Sequence, residues 1–128
     1  MNSSKAKIFD DFEIELINDC YYKITLHDDC IFSYNELNLL IETQIARGEK
    51  KRPVMIICGE YSNTDTEFLK HLGKNVNDPY SIADAFVLKS LSQRFLAKFY
   101  FKFVKPERPT EFFKKEEDAL NWLQQFIR

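Results

Sequence analysis

An α/β domain built on a mixed sheet is what the 128 residues predict, and three observations carry that prediction. Two short alternating segments open the chain, amphipathic helices and apolar strands then take turns along it, and Val54 to Cys58 is apolar on both faces. The resulting order is β-β-α-β-α-β-α-β-α. An antiparallel hairpin comes first and mainly parallel strands follow, in a four- or five-stranded sheet with about four helices.

Each element has a local cause. Phe12, Ile14 and Leu16 alternate with Glu13, Glu15 and Ile17, Asn18-Asp19 supplies a turn, and Tyr22, Ile24 and Leu26 alternate with Lys23, Thr25 and His27. Ser33 with Glu36 makes a capping box, and Phe32 with Leu37 a hydrophobic staple. Leu37, Leu40, Ile41, Gln44 and Ile45 then share a helical face over about residues 34 to 47, and Gly48 is placed to end the helix with a left-handed backbone. Pro53 opens the apolar run Val54-Met55-Ile56-Ile57-Cys58, which belongs in the middle of a covered sheet.

Thr64 with Glu67 forms a second capping box, and Phe68, Leu69 and Leu72 continue it as a short helix. Ile82 to Leu88 is a further strand in which Asp84 needs a nearby strand end or a donor. From Ser90 to Val104 a helix puts Leu88, Phe95, Leu96, Phe99 and Phe103 on one arc and Arg94, Lys98, Lys102 and Lys105 on another. Pro106 and Pro109 end it, Thr110 to Phe113 is extended, and Ala119, Leu120, Trp122, Leu123, Phe126 and Ile127 mark a last helix.

Composition bounds the rest. Three Gly, four Pro and twelve Phe exclude a disordered or collagenous chain, and the length fits one domain over 1–128, with 1–10 read as a flexible N-terminal segment. No apolar run approaches the roughly 20 residues needed to span a bilayer, and Met1 to Phe12 lacks the apolar stretch of a secretory signal, so a cytoplasmic location without membrane insertion is expected. Cys20, Cys30 and Cys58 are odd in number and form no CxxC pair, which predicts three free thiols and no metal site. His27-Asp28-Asp29-Cys30 bunches its ligand-type residues too closely for a zinc site and reads as a polar turn.

With the elements placed, a resemblance emerges. The helix after the hairpin, the buried VMIIC-type strand and the Phe-rich helix ending in Lys105-Pro106 set the frame. Pro109-Thr110, Phe112-Phe113 and Ala119-Leu120-Asn121-Trp122-Leu123 then complete a pattern that resembles an uncharacterised bacterial family, of Bacteroidetes type, with the STAS fold. That SpoIIAA-like fold is the one of anti-sigma-factor antagonists. The resemblance implies a STAS-like domain, and it places a phosphorylatable Ser or Thr after an Asp at the start of the helix following the third strand. The matching positions are Asp65 and Thr66, with Ser62 and Thr64 nearby. A helix N-terminus beside a strand's carboxyl end suits an anion, and a phosphate there would add roughly two negative charges against an acidic partner. Thr66 is followed by Glu67-Phe68-Leu69 in place of the antagonists' Ser-Gly-Leu-Gly, and Thr64 as a helix cap accounts for the same stretch.

Charge supplies the second candidate surface. Residues 1–36 hold three Lys against eight Asp or Glu, whereas residues 89–108 hold six Lys or Arg against one Glu. Arg94, Lys98, Lys102 and Lys105 share a helix face, with Phe101 beside them rather than on the core arc. A solvated face, a protein interface and a homodimer contact with Glu13, Glu15 and Asp19 are the readings open to it. The pI of about 5.7 argues against nucleic acid. No nucleophile–base pair or glycine-rich phosphate loop is present in the sequence, so no cofactor and no catalytic residue are assigned. The expected function is therefore a non-enzymatic protein-binding module, regulatory in the manner of the antagonists, whose partner is another protein or a second copy. The alternatives are a small-molecule or lipid carrier with an apolar pocket under the Phe-rich helix and, more distantly, an enzyme.

Overall fold

The protein is described here by a computed structural model covering residues 5–9, 12–59, 63–64, 78–103 and 105–127. Its main sheet is mixed. Strands β1 (Lys5–Ile8), β2 (Phe12–Ile17) and β3 (Tyr21–Leu26) form an antiparallel meander, and β3 then pairs in parallel with β5 (Arg52–Cys58). Beyond β5 come β7 (Ser81–Leu88) and β8 (Thr110–Phe113), both parallel, so the sheet runs β1-β2-β3-β5-β7-β8. Two short strands, β4 (Ile31–Phe32) and β6 (Asn63–Thr64), pair in parallel beside it. The helices among the described residues are α1 (Tyr34–Ala46), α2 (Leu91–Phe103) and α3 (Glu116–Leu123), the last followed by a 3-10 turn over Gln124–Phe126.

The mixed α/β architecture is the expected one, and β1 is the addition. Lys5–Ile8 pairs with β2 as an edge strand where a flexible segment is expected, and this raises the strand count of the sheet to six. An edge strand needs to match only one neighbour, so its sequence carries a weak signal. The helix expected from Thr64 lies outside the described residues beyond Thr64 itself.

The hairpin follows its alternation. Phe12, Ile14 and Leu16 are buried while the residues between them are half-exposed. Asn18 and Asp19 take positive φ of 51° and 59°, the backbone a tight turn needs. At α1, the Ser33 backbone N–H and hydroxyl both donate to Glu36 Oε1, at 2.8 and 2.6 Å. Gly48 closes the helix with φ of 101°, and the Glu49 N–H reaches back to the Gln44 carbonyl at 3.1 Å. The buried side of α1 is rolled relative to expectation: Leu37, Leu40, Thr43 and Gln44 are buried, whereas Ile45 is exposed.

β5 threads the centre. Arg52 to Ile57 are all buried, between β3 on one side and β7 on the other. Val54 and Ile56 face a core shared with Ile14, Ile24 and Leu40, and Met55 and Ile57 face a second core closed by Ala119 and Leu123 of α3. Cys58, expected to be buried, is half-buried at the strand end, Cys20 is half-buried as well, and Cys30 is buried.

Candidate functional site

The carboxyl ends of the parallel strands are tied together before α2 begins. Gly59 follows β5 so closely against the turn after β3 that a Cβ there would stand 2.6 Å from the Leu26 carbonyl oxygen. Only glycine fits this approach. The Gln93 side-chain amide donates to the Gly59 carbonyl at 3.3 Å, and the Ser90 hydroxyl caps α2 by accepting the Gln93 backbone N–H at 3.0 Å. Arg94 completes the junction, its Nη1 donating to the carbonyls of Leu88 and Lys89 at 2.7 and 3.1 Å.

From this anchored start α2 presents an unexpected face. The periodicity places Phe95, Leu96 and Phe99 on the core arc and Phe101 outside it; the structure turns the helix the other way. Phe101 packs over the sheet in tilted ring contacts, its centroid 5.1 Å from Phe112 and 6.4 Å from Phe86, and Ala97, one turn earlier, packs against the same core. Leu91, Phe95, Leu96 and Phe99 are exposed by 74, 71, 55 and 53 per cent. The physical reason is fit. Phe86 and Phe112 already fill the space over β7 and β8, their centroids 5.6 Å apart, and a small residue followed four positions later by a single ring rests on them better than a row of Phe and Leu.

The basic face divides accordingly. Lys98, Lys102 and Lys105 are exposed, as expected, and Lys98 and Lys102 border the outward apolar row. Arg94 is a half-buried pin on the end of β7 rather than a free surface cation, and Phe101 is half-buried against Phe86 and Phe112 rather than on the contact face. Of the other candidate residues, Ser62, Asp65 and Thr66 lie outside the described residues. Thr64 pairs through β6 with Phe32 of β4.

A second group of polar side chains occupies the opposite, amino-terminal edge of the parallel strands, and it supplies Asp84 with the donors its place in an apolar strand requires. Asp84 accepts the Ser81 hydroxyl at 2.6 Å on one oxygen and Arg108 Nε at 2.8 Å on the other. Arg108 also donates to the Asp78 carbonyl at 3.2 Å. Burial pushes the Asp78 carboxyl above its ordinary range, with Asp84 adding to the rise and Arg108 opposing it. Next to this group, buried Arg52 donates to the Asp19 carboxylate at 2.8 Å and to the Tyr22 hydroxyl at 3.2 Å. Each of these cations is engaged by a partner inside the chain, so the edge works as a clamp on strand starts. Among the described residues no cluster of three or more His, Cys, Asp and Glu is arranged to hold a metal ion.

With this geometry in place, comparison with known proteins assigns the family. The model of a domain of unknown function, DUF7793, matches residues 22–127. The chain belongs to the DUF7793 family. This DUF7793 domain is similar in structure to an uncharacterised protein of the DUF3478 family, with a SpoIIAA-like fold, from Shewanella loihica PV-4. The TM-score is 0.52 at 14% sequence identity, covering 94% of this chain and 92% of the other. At that identity the likeness shows the fold, and the SpoIIAA-like α/β architecture is established by it. No curated protein matches the chain. No helix among the described residues of this DUF7793 domain is long and apolar enough to cross a membrane.

Proposed function

We propose that this domain is a non-enzymatic binding module whose contact face is the outward side of α2 and whose partner is another protein. One observation carries the reading: Leu91, Phe95, Leu96 and Phe99, four large apolar side chains on a single helix, are each more than half exposed. Scattered apolar residues are ordinary on protein surfaces, but a contiguous apolar row edged by lysines is characteristic of an interaction site. The engaged state of Asp84, Arg108 and Arg52 favours binding over catalysis, since side chains tied up in ion pairs are poorly placed to exchange protons with a substrate.

The carrier reading draws less support. The underside of α2, where a pocket is expected, is occupied by the Phe101, Phe86 and Phe112 rings. Regulation in the manner of the anti-sigma-factor antagonists would add a phosphate at Ser62, Thr64 or Thr66.

Site-specific photo-crosslinking tests the proposal. A crosslinking residue at position 95 in the native cell should give a discrete protein adduct that the same residue at position 125, on the far side of the sheet, does not. Adducts that are identical from both positions, or none from position 95, would refute it. Phosphate on Ser62, Thr64 or Thr66 by mass spectrometry would add the regulatory element.

A further inference from the structure

We propose that the segment docking on α2 is an acidic amphipathic helix of another protein, an inference that rests on the binding role just given and names the chemistry of the partner. Two features of the helix specify it. Leu91, Phe95 and Phe99 recur every four residues and form one ridge, the shape that interdigitates with the groove of a second helix. Lys98 and Lys102 run along one border of that ridge, Lys89 and Lys105 stand at its two ends, and no Asp or Glu occurs between Asp84 and Glu107. An occupant that covers the ridge therefore brings its own apolar stripe and places carboxylates against a lysine border that no acid interrupts.

A second copy of this chain does not meet the requirement. Helix against helix, it would set these lysines against their own counterparts. The acidic hairpin is no better suited, because Asp19 already pairs with Arg52, and Glu13 and Glu15 are half-exposed residues of one strand rather than an exposed helical stripe. Asp19 is thus engaged within the chain, and a strand offers its remaining acids at a spacing that does not follow a helical ridge, so the complementary charge comes from a different molecule.

The test uses the full chain and two synthetic helical peptides of about 20 residues with the same leucine stripe. In one the stripe is flanked by Glu, in its twin by Lys. Fluorescence anisotropy should show saturable binding of the Glu peptide, weakening with salt, and at least about tenfold weaker binding of the Lys peptide. Leu91→Ala with Phe95→Ala should reduce Glu-peptide binding by about tenfold or more, since these are the two most exposed of the three ridge side chains. Lys98→Glu with Lys102→Glu should reverse the preference towards the Lys peptide. All these positions are exposed, and circular dichroism verifies that each variant keeps its fold; Lys98→Gln with Lys102→Gln, losing selectivity without reversing it, provides an independent check.

Equal binding of both peptides, abolished by the apolar substitutions, would overturn the acidic partner while leaving the binding module standing. Failure of the Glu peptide to bind the folded chain overturns the inference. If phosphatidylglycerol-containing vesicles bind through Leu91 and Phe95 in its place, the protein partner falls as well. Reversible dimerisation that Leu91→Ala with Phe95→Ala abolishes would assign the face to a second copy.

Discussion

Arg108 Nε lies 2.8 Å from Asp84 Oδ2, and both side chains are more than nine-tenths buried, at 8 and 7 per cent exposure. The pair joins the loop before β8 to the start of β7, and Ser81 completes the shell around the carboxylate. Removing one member leaves the other charge buried with reduced compensation. Arg108→Met should destabilise the fold by about 3–5 kcal/mol, and adding Asp84→Leu to that background should recover part of the loss. Urea unfolding of the two variants checks this; a double variant no better than the single would show that the pair is not the source of the cost.

Asp78 has the opposite character. Its carboxyl is raised by burial, so the folded state holds its proton more tightly than the unfolded chain does. The stability linked to this group is complete below the unfolded carboxylate value of about 4 and is lost as pH rises through the higher folded value. Asp78→Asn, whose side-chain oxygen can still accept the Tyr80 N–H, should therefore be more stable than the parent at neutral pH, with the advantage shrinking as pH falls through the raised folded value and lost by about pH 4. A thermal-melt series against pH for both proteins reads the difference, and an advantage that grows on acidification would reverse the assignment.

Glu36 shows how both signs occur in one fold. Burial raises its carboxyl, but the hydrogen bonds from Ser33 and Asn35 outweigh that and hold it below the ordinary range. The contribution is present above the unfolded value and fades as pH falls through the folded one. Ser33→Ala should cost about 1 kcal/mol at neutral pH, and less in acid, measured by denaturant unfolding at two pH values.

Those caps and the hairpin were legible in the sequence because their causes are local. Ser33 and Glu36 are three residues apart, the Phe12 to Leu26 alternation needs only a pleat, and Val54 to Cys58 announces a central strand by being apolar at every position. The Arg108–Asp84 pair was not legible, since 24 residues and a crossover helix separate its members. Nor was the orientation of α2. Periodicity identifies an apolar side, yet which side meets the sheet is decided by what the sheet offers, and Phe86 with Phe112 accepts Ala97 and Phe101. The candidate contact face is thus visible in the sequence as a basic stripe, while periodicity places its apolar half on the core side.

Gly59 reports on the junction that aims α2. An added Cβ would meet the Leu26 carbonyl oxygen at 2.6 Å and the Asp28 nitrogen at 2.8 Å, both backbone atoms that cannot swing aside. Gly59→Ala should cost about 1–3 kcal/mol by denaturant unfolding, in the manner of overpacking. A change within a few tenths of a kcal/mol would mean that the two segments part easily.

The sharpest test of the account concerns the exposure of the α2 rings. Hydroxyl-radical footprinting of the full chain, read by mass spectrometry at single-residue level, should modify Phe95 and Phe99 several times faster than Phe101, as expected for rings more than half exposed against one packed on Phe112. The reverse order, with Phe101 reacting fastest and Phe95 protected, would put the apolar arc back in the core and leave the proposed contact face without its apolar row.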